Sequence, residues 1–136
     1  MEHKITIYKA MIPIEPKTKK NNQKIIYRNK KPIIVQSDAY KQYERDAGWF
    51  LLTPREPISH PVNVKCIFYR STERRVDLTN LLEAIDDILV KYHVISDDNF
   101  KIIAGHDGSR VLIDRQKPRT EIYIEELPVY NEQKEV

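Results

Sequence analysis

The densest run of groups able to do chemistry is Arg74-Arg75-Val76-Asp77-Leu78-Thr79-Asn80-Leu81-Leu82-Glu83, followed by Asp86-Asp87 and then by Ile95-Ser96-Asp97-Asp98-Asn99. These carboxylates stand before a predicted helix, on its polar face and on the loop beyond it. Such donors suit a hard divalent cation. Mg²⁺ completes its octahedron with water and substrate phosphate oxygens, so two or three converging Asp or Glu side chains suffice. The same residues allow a second meaning, in which Asp77 caps the helix start and Asp97-Asp98-Asn99 forms a polar turn. Spacing alone does not choose between the two. Cys66 is the only cysteine, and with four scattered His residues it forms no cluster at zinc-ligand spacing, so oxygen is the expected donor for any metal here.

A second group of residues could hold a polyanion. Lys17, Lys19, Lys20, Lys24, Arg28, Lys30 and Lys31 put seven positive charges into fifteen residues with no acid among them, against a net charge of only +3 for the chain. The remainder is therefore acidic, and fourteen of the twenty carboxylates lie at or after Glu73, where Arg70, Arg74 and Arg75 are the bunched cations. One basic segment with carboxylates elsewhere fits a protein that grips phosphates in one place and works on them in another. Asn21, Asn22, Gln23 and Tyr27 add hydrogen-bonding groups for phosphates and bases. The plainer meaning of the run is a solvated, mobile loop.

Positioning these groups requires an α/β framework. Residues 4 to 10 alternate as a strand, which Pro13 and Pro16 end. Ile25-Ile26-Tyr27 and Ile33-Ile34-Val35 could pair as a hairpin across Arg28 to Pro32, although no familiar turn dipeptide sets its register. Ser37 is a good N-cap for a helix over about 38 to 52, with Tyr40, Tyr43, Ala47 and Phe50 or Leu51 on one face. Trp49, near the end of that helix, reads as core or interface rather than as a stacking platform. Val62, Val64, Cys66 and Phe68 share one face of a second strand, which makes Cys66 a small core residue rather than a nucleophile. A second helix spans about 80 to 92 on the stripe Leu81, Ile85, Ile88, Leu89 and Tyr92, with Glu83 and Asp87 away from that stripe. Phe100 to Ala104, Arg110 to Ile113 and Thr120 to Glu125 complete the strands. His106, beside Asp107-Gly108, reads as a turn residue, and residues from about 128 onward as a flexible tail.

With 136 residues, 40% apolar and 32% charged, the chain is long enough for one domain with a real core and has no composition of a collagen, coiled coil or low-complexity segment. Its apolar runs are too short for a membrane span, and Met1-Glu2-His3-Lys4 lacks the apolar stretch of a secretion signal. The expectation is a single cytoplasmic domain over 1–136, with a basic loop at about 15–32.

The pattern Asp-Leu-x-Asn-Leu at Asp77 to Leu81, a helix, and Asp97-Asp98 some twenty residues on resembles the RusA family of Holliday junction resolvases. A strand running into Pro, a polar basic loop, and Val35-Gln36-Ser37 opening a helix with an early Tyr extend the similarity over most of the chain. The resemblance implies a small mixed sheet packed with two main helices, a homodimer, and Mg²⁺-dependent cuts placed symmetrically on two strands of a four-way DNA junction. It puts Asp77 and Asp98 at catalytic metal-ligand positions. Two residues depart from the best-known motif: Thr79 stands where a second Asp is usual, and Glu83 where a catalytic Lys is usual. Glu83 lies one helical turn past Thr79, so its longer side chain can replace the missing carboxylate. The expected site is then Asp77, Glu83 and Asp98 on Mg²⁺ (Mn²⁺ substituting), supported by Asp97, with Lys17, Lys19, Lys20, Lys24, Arg28, Arg74 and Arg75 on DNA. A helix from 80 to 91 is about 18 Å long, and six extended residues reach about 20 Å. Asp98 can therefore just return to Asp77 in its own subunit, and a site shared across a dimer stays open. The rival expectations are a junction-binding protein that has lost cleavage, and a nuclease for other branched or RNA-containing substrates.

Overall fold

The computed structural model describes residues 4–19 and 23–128. In chain order the elements are β1 (Ile5–Ile12), β2 (Gln23–Arg28), β3 (Lys31–Gln36), α1 (Asp38–Gly48), β4 (Val62–Arg70), α2 (Leu78–Lys91), β5 (Ile103–Gly105), β6 (Arg110–Ile113) and β7 (Arg119–Glu126). β1, β7 and β4 lie side by side and antiparallel, and β5 and β6 both run parallel to β4 on its other side, giving a mixed five-stranded sheet. β2 and β3 form a separate hairpin. The fold is a small α+β architecture in which two helices cover one mixed sheet. No helix of the described residues is long and apolar enough to cross a membrane.

Alternation dictates the sheet's buried face: Val62, Val64, Cys66 and Phe68 of β4 and Ile122 and Ile124 of β7 are all fully buried. Burial pushes the Cys66 thiol well above its usual range, as befits a core residue. Against that face α2 packs Leu81, Ile85, Ile88 and Leu89, and α1 packs Tyr40, Tyr43 and Ala47. Ser37 caps α1 by accepting from the Tyr40 backbone N–H at 3.2 Å.

α1 ends at Gly48, earlier than its apolar spacing suggests. The Tyr92 ring, whose hydroxyl donates to Glu44 O at 3.0 Å, fills the space beside this glycine, so that a Cβ there would lie 2.4 Å from the ring. Beyond this point Leu51 turns inward while Trp49 is 86% exposed, so of the core or interface positions expected for Trp49 the core is not the one it takes. The hairpin is also tighter than expected. Arg28 pairs with Lys31 across a two-residue turn, with Asn29 (φ 51°) and Lys30 (φ 61°) both left-handed, the signature of a type I′ turn. Asn tolerates that conformation, but a Lys in the usual glycine position hid the signal. Residues 100 to 102, expected in a strand, form a turn in which Asn99 O accepts from the N–H groups of Ile102 and Ile103 at 3.0 and 2.9 Å.

Candidate active site

The buried stripe of α2 fixes the helix's rotation and so decides which polar groups face out. Thr79, Glu83 and Asp86 fall on the bordering face by their spacing of four and three residues. Together with Leu82, Asp98 and His106 they line a cleft of about 190 Å³. Asp98 reaches this cleft because α2 ends in a sharp reversal. His93 adopts φ 62°, and Val94 N–H donates back to Leu89 O at 2.9 Å, the bond pattern that closes a helix on a left-handed residue. The returning strand is held against Ile58, whose N–H donates to Val94 O at 2.9 Å and whose carbonyl accepts from Ser96 at 3.0 Å. The return to α2 is thus made within one chain, at the level of Thr79 to Asp86.

The two aspartates of the loop differ in role. Asp97 accepts from the Asp98 backbone N–H at 2.7 Å and from the Asn99 amide at 3.0 Å. These bonds hold its carboxyl below the usual range and tie it to the shape of its own turn. Asp98 is pushed the other way, first by desolvation, then by its contact with Asp97 and by the charge of Asp87. Its charge is the less well compensated, which favours a cation beside it. Asp77 occupies the N-cap of α2 with extended backbone, but its side chain makes no capping bond. Among the described residues the carboxylate accepts a long 3.4 Å bond from the Asn80 amide; it is exposed and is not one of those lining the cleft.

The sequence missed one partnership. His106 does sit in a turn, accepting from Ser109 N–H at 3.1 Å through its carbonyl, but its ring has a second role. His106 Nε2 lies 2.8 and 3.1 Å from the two carboxylate oxygens of Asp86, which is only 8% exposed. Burial raises the Asp86 pKa and the His106 contact partly offsets it. Twenty residues separate the pair, so no spacing rule joins them. The available signal was that Asp86, four residues past Leu82 and three before Leu89, borders the apolar stripe.

The expected DNA-binding residues divide. Lys17, Arg74 and Arg75 line a second cleft of about 330 Å³ with Arg70 and Glu15. This cleft ends at Val76, immediately before Asp77, so a basic and an acidic cleft flank the start of α2. Lys19 is instead ion-paired with Asp87 on α2. Lys24 pairs with Asp38 at 3.2 Å, Arg28 is exposed at the hairpin tip, and Lys20 lies outside the described residues.

Among the described residues no three Asp, Glu, His or Cys side chains converge as a metal-binding group by themselves. That does not disqualify Mg²⁺, which is commonly held by one or two carboxylates with water and substrate phosphate in the remaining positions. Glu83 and Asp98, which line one cleft, are oxygen donors of the type such an ion takes.

A comparison with curated proteins finds no match. The family model for endodeoxyribonuclease RusA matches residues 13–125. That span takes in both clefts, from Lys17 to His106, and carries the departures at Thr79 and Glu83 within it. On this extent of agreement, with a mixed sheet and two helices beneath it, the chain belongs to the RusA endodeoxyribonuclease family.

Proposed function

We propose that this protein is a Mg²⁺-dependent, structure-selective endonuclease that resolves four-way DNA junctions by paired symmetric nicks. The observation that carries the reading is the arrival of Asp98 in the cleft of Glu83, with the basic cleft of Lys17, Arg74 and Arg75 reaching Val76, three residues before Thr79 of the acidic cleft. In this reading Glu83, Asp98 and the neighbouring Asp77 hold the cation, and Asp97 supports them by fixing the Asp98 turn. Bound Mg²⁺ supplies Lewis-acid polarisation of the scissile phosphate and a more acidic water. The basic cleft and the exposed cations of the β2–β3 hairpin hold the phosphates of the arms. A four-way junction has near two-fold symmetry and needs two cuts, which a C₂ homodimer presents.

The test is cleavage of a synthetic four-way junction with Mg²⁺ or Mn²⁺, with nicks mapped on every strand. Paired nicks at symmetry-related positions are expected. Binding without nicking would identify a junction-binding protein, and faster cutting of flaps, forks or RNA hybrids would reassign the substrate. Crystals soaked in Mn²⁺ should show anomalous density between α2 and Asp98.

A further inference from the structure

The loop that carries His106 is unusually well fixed. Asn63 of β4, almost fully buried, accepts from Asp107 N–H at 2.8 Å and donates to Asp107 O at 3.0 Å. The same amide donates to buried Glu125 at 2.8 Å, and Ser109 accepts from Cys66 N–H at 3.0 Å. Gly108 turns at φ 86°, packed so closely on Lys65 that a Cβ would lie 2.8 Å from its stem. A solvated turn needs none of this. The net effect is to set one imidazole on the wall of the acidic cleft with Nε2 committed to Asp86.

Where Asp86 is ionised it can only accept, so a neutral imidazole held at 2.8 Å donates to it from Nε2 and keeps its lone pair on Nδ1. A neutral imidazole oriented by a buried carboxylate is the usual form of a general base. Resting on the nuclease reading above, we propose that His106 is the general base for the attacking water and that Asp86 is its positioning residue. The water oxygen bonds to phosphorus while its proton passes to Nδ1. The bond from phosphorus to the bridging ester oxygen breaks, and that oxygen leaves with the electron pair and takes a proton from solvent. Nδ1 then returns its proton to solvent. The charged groups that line the cleft with His106 are Glu83 and Asp86 of α2 and Asp98 of the return loop; Asp87, whose charge bears on Asp86 and Asp98, is paired with Lys19, and Asp107, next in the chain, lies 3.9 Å from Lys4.

The experiment compares wild type with His106→Ala, His106→Gln, Asp86→Asn and Asp98→Asn in the full chain, measuring junction cleavage and junction binding separately. Removing a general base should slow cutting by about 10²-fold or more, with the binding constant within about three-fold and the fall in rate toward acid pH abolished. A junction with sulfur as the bridging leaving atom needs no proton donor there, so the His106 variants should remain slow on it. Nitrogen-15 spectra of the wild-type imidazole should show the Nε2–H tautomer, with Asp86→Asn shifting it and slowing cutting by about ten-fold or more. Wild-type cutting by both His106 variants while Asp98→Asn is inactive would overturn the proposal and leave the nuclease reading standing. Rescue of His106→Ala by the sulfur leaving atom would also overturn it, moving His106 to the leaving group. Junctions left uncut by wild type would defeat the nuclease reading and this proposal with it, whereas normal cutting by Asp98→Asn would remove Asp98 from the site and leave His106 to be judged on its own variants.

Discussion

At the residue scale, the cleft gathers negative charge on α2 and on the return loop, and its substitutions separate chemistry from stability. Asp98→Asn removes a cation ligand and a charge facing phosphate, so cutting should be lost while junction binding holds or tightens. A junction-binding assay beside the cleavage assay checks both halves, and wild-type cutting would reduce Asp98 to a turn residue. Glu83→Lys makes the chain look more like the usual motif, yet it puts an ammonium among Asp86, Asp87 and Asp98 on a cleft that has to admit a cation. Cutting should vanish in this variant, and adding Thr79→Asp should recover part of it. Full activity of the single variant, read by titrating nicking against Mg²⁺, would show that Glu83 is a solvated helix residue. Asp86 gives a stability test with a definite sign. Its folded pKa is raised by burial, so the folded state binds its proton more tightly than the unfolded chain does. Stability is therefore lost as pH rises from the ordinary carboxylate range through the raised value. Asp86→Asn lacks this penalty and should melt higher than wild type at pH 7, the difference closing toward pH 4. A constant difference in melting temperature across that window would mean that ionisation of Asp86 costs the fold nothing.

At the element scale, the geometry of the cleft depends on how α2 stops. His93 holds a left-handed conformation that costs a non-glycine residue about 1–2 kcal/mol, and it does so where the chain must reverse to bring Asp98 back. His93→Gly should stabilise the protein by about 0.5–1 kcal/mol in urea unfolding, with cleavage unchanged because the side chain touches neither cleft. Destabilisation instead would show that the His93 side chain contributes something the backbone does not reveal. The same element shows why the sequence was partly legible. The stripe Leu81, Ile85, Ile88 and Leu89 announced α2 and its orientation, and strict alternation announced the buried face of β4. Ser37 marked the start of α1 because its capping chemistry is local. What stayed hidden was set by distant contacts. α1 stops at Gly48 because of Tyr92, forty-four residues away, and His106 meets Asp86 because Asn63 grips the next residue of its turn. The type I′ turn at Asn29-Lys30 was missed for a local reason, since Lys seldom takes that position. That Asp98 and Glu83 meet in one cleft was foreshadowed by the family resemblance for Asp98 and by helical spacing from Thr79 for Glu83, whereas the pairing of Lys19 with Asp87 required the folded chain.

At the scale of the whole molecule, charge is sorted into two neighbouring clefts, and the cations are not interchangeable. Lys17, Arg74 and Arg75 line the basic cleft, in which Glu15 is the one acid among the described lining residues, and Glu15 is itself engaged by Ser71, whose N–H donates to it at 3.2 Å. These three are placed to meet phosphates, and each phosphate contact contributes about 0.9 to the slope of log K against log salt on duplex DNA. Replacing all three with Gln should therefore flatten the slope by about two to three units and weaken binding to every DNA shape alike, while preference for a junction over a duplex persists, since shape is read by the spacing of the sites. Lys19 should behave otherwise. It neutralises Asp87, whose charge already bears on Asp98 and Asp86, so Lys19→Gln exposes a carboxylate beside the acidic cleft rather than deleting a phosphate contact. The expected signature is a small change in salt slope, under about half a unit, together with slower cutting and an altered Mg²⁺ requirement. Fluorescence anisotropy of junction and duplex across a salt series, run beside a Mg²⁺ titration of nicking, distinguishes the two classes. A full unit of slope lost with Lys19, or none lost with the other three, would mean that the DNA lies across α2 and not along the cleft that adjoins it.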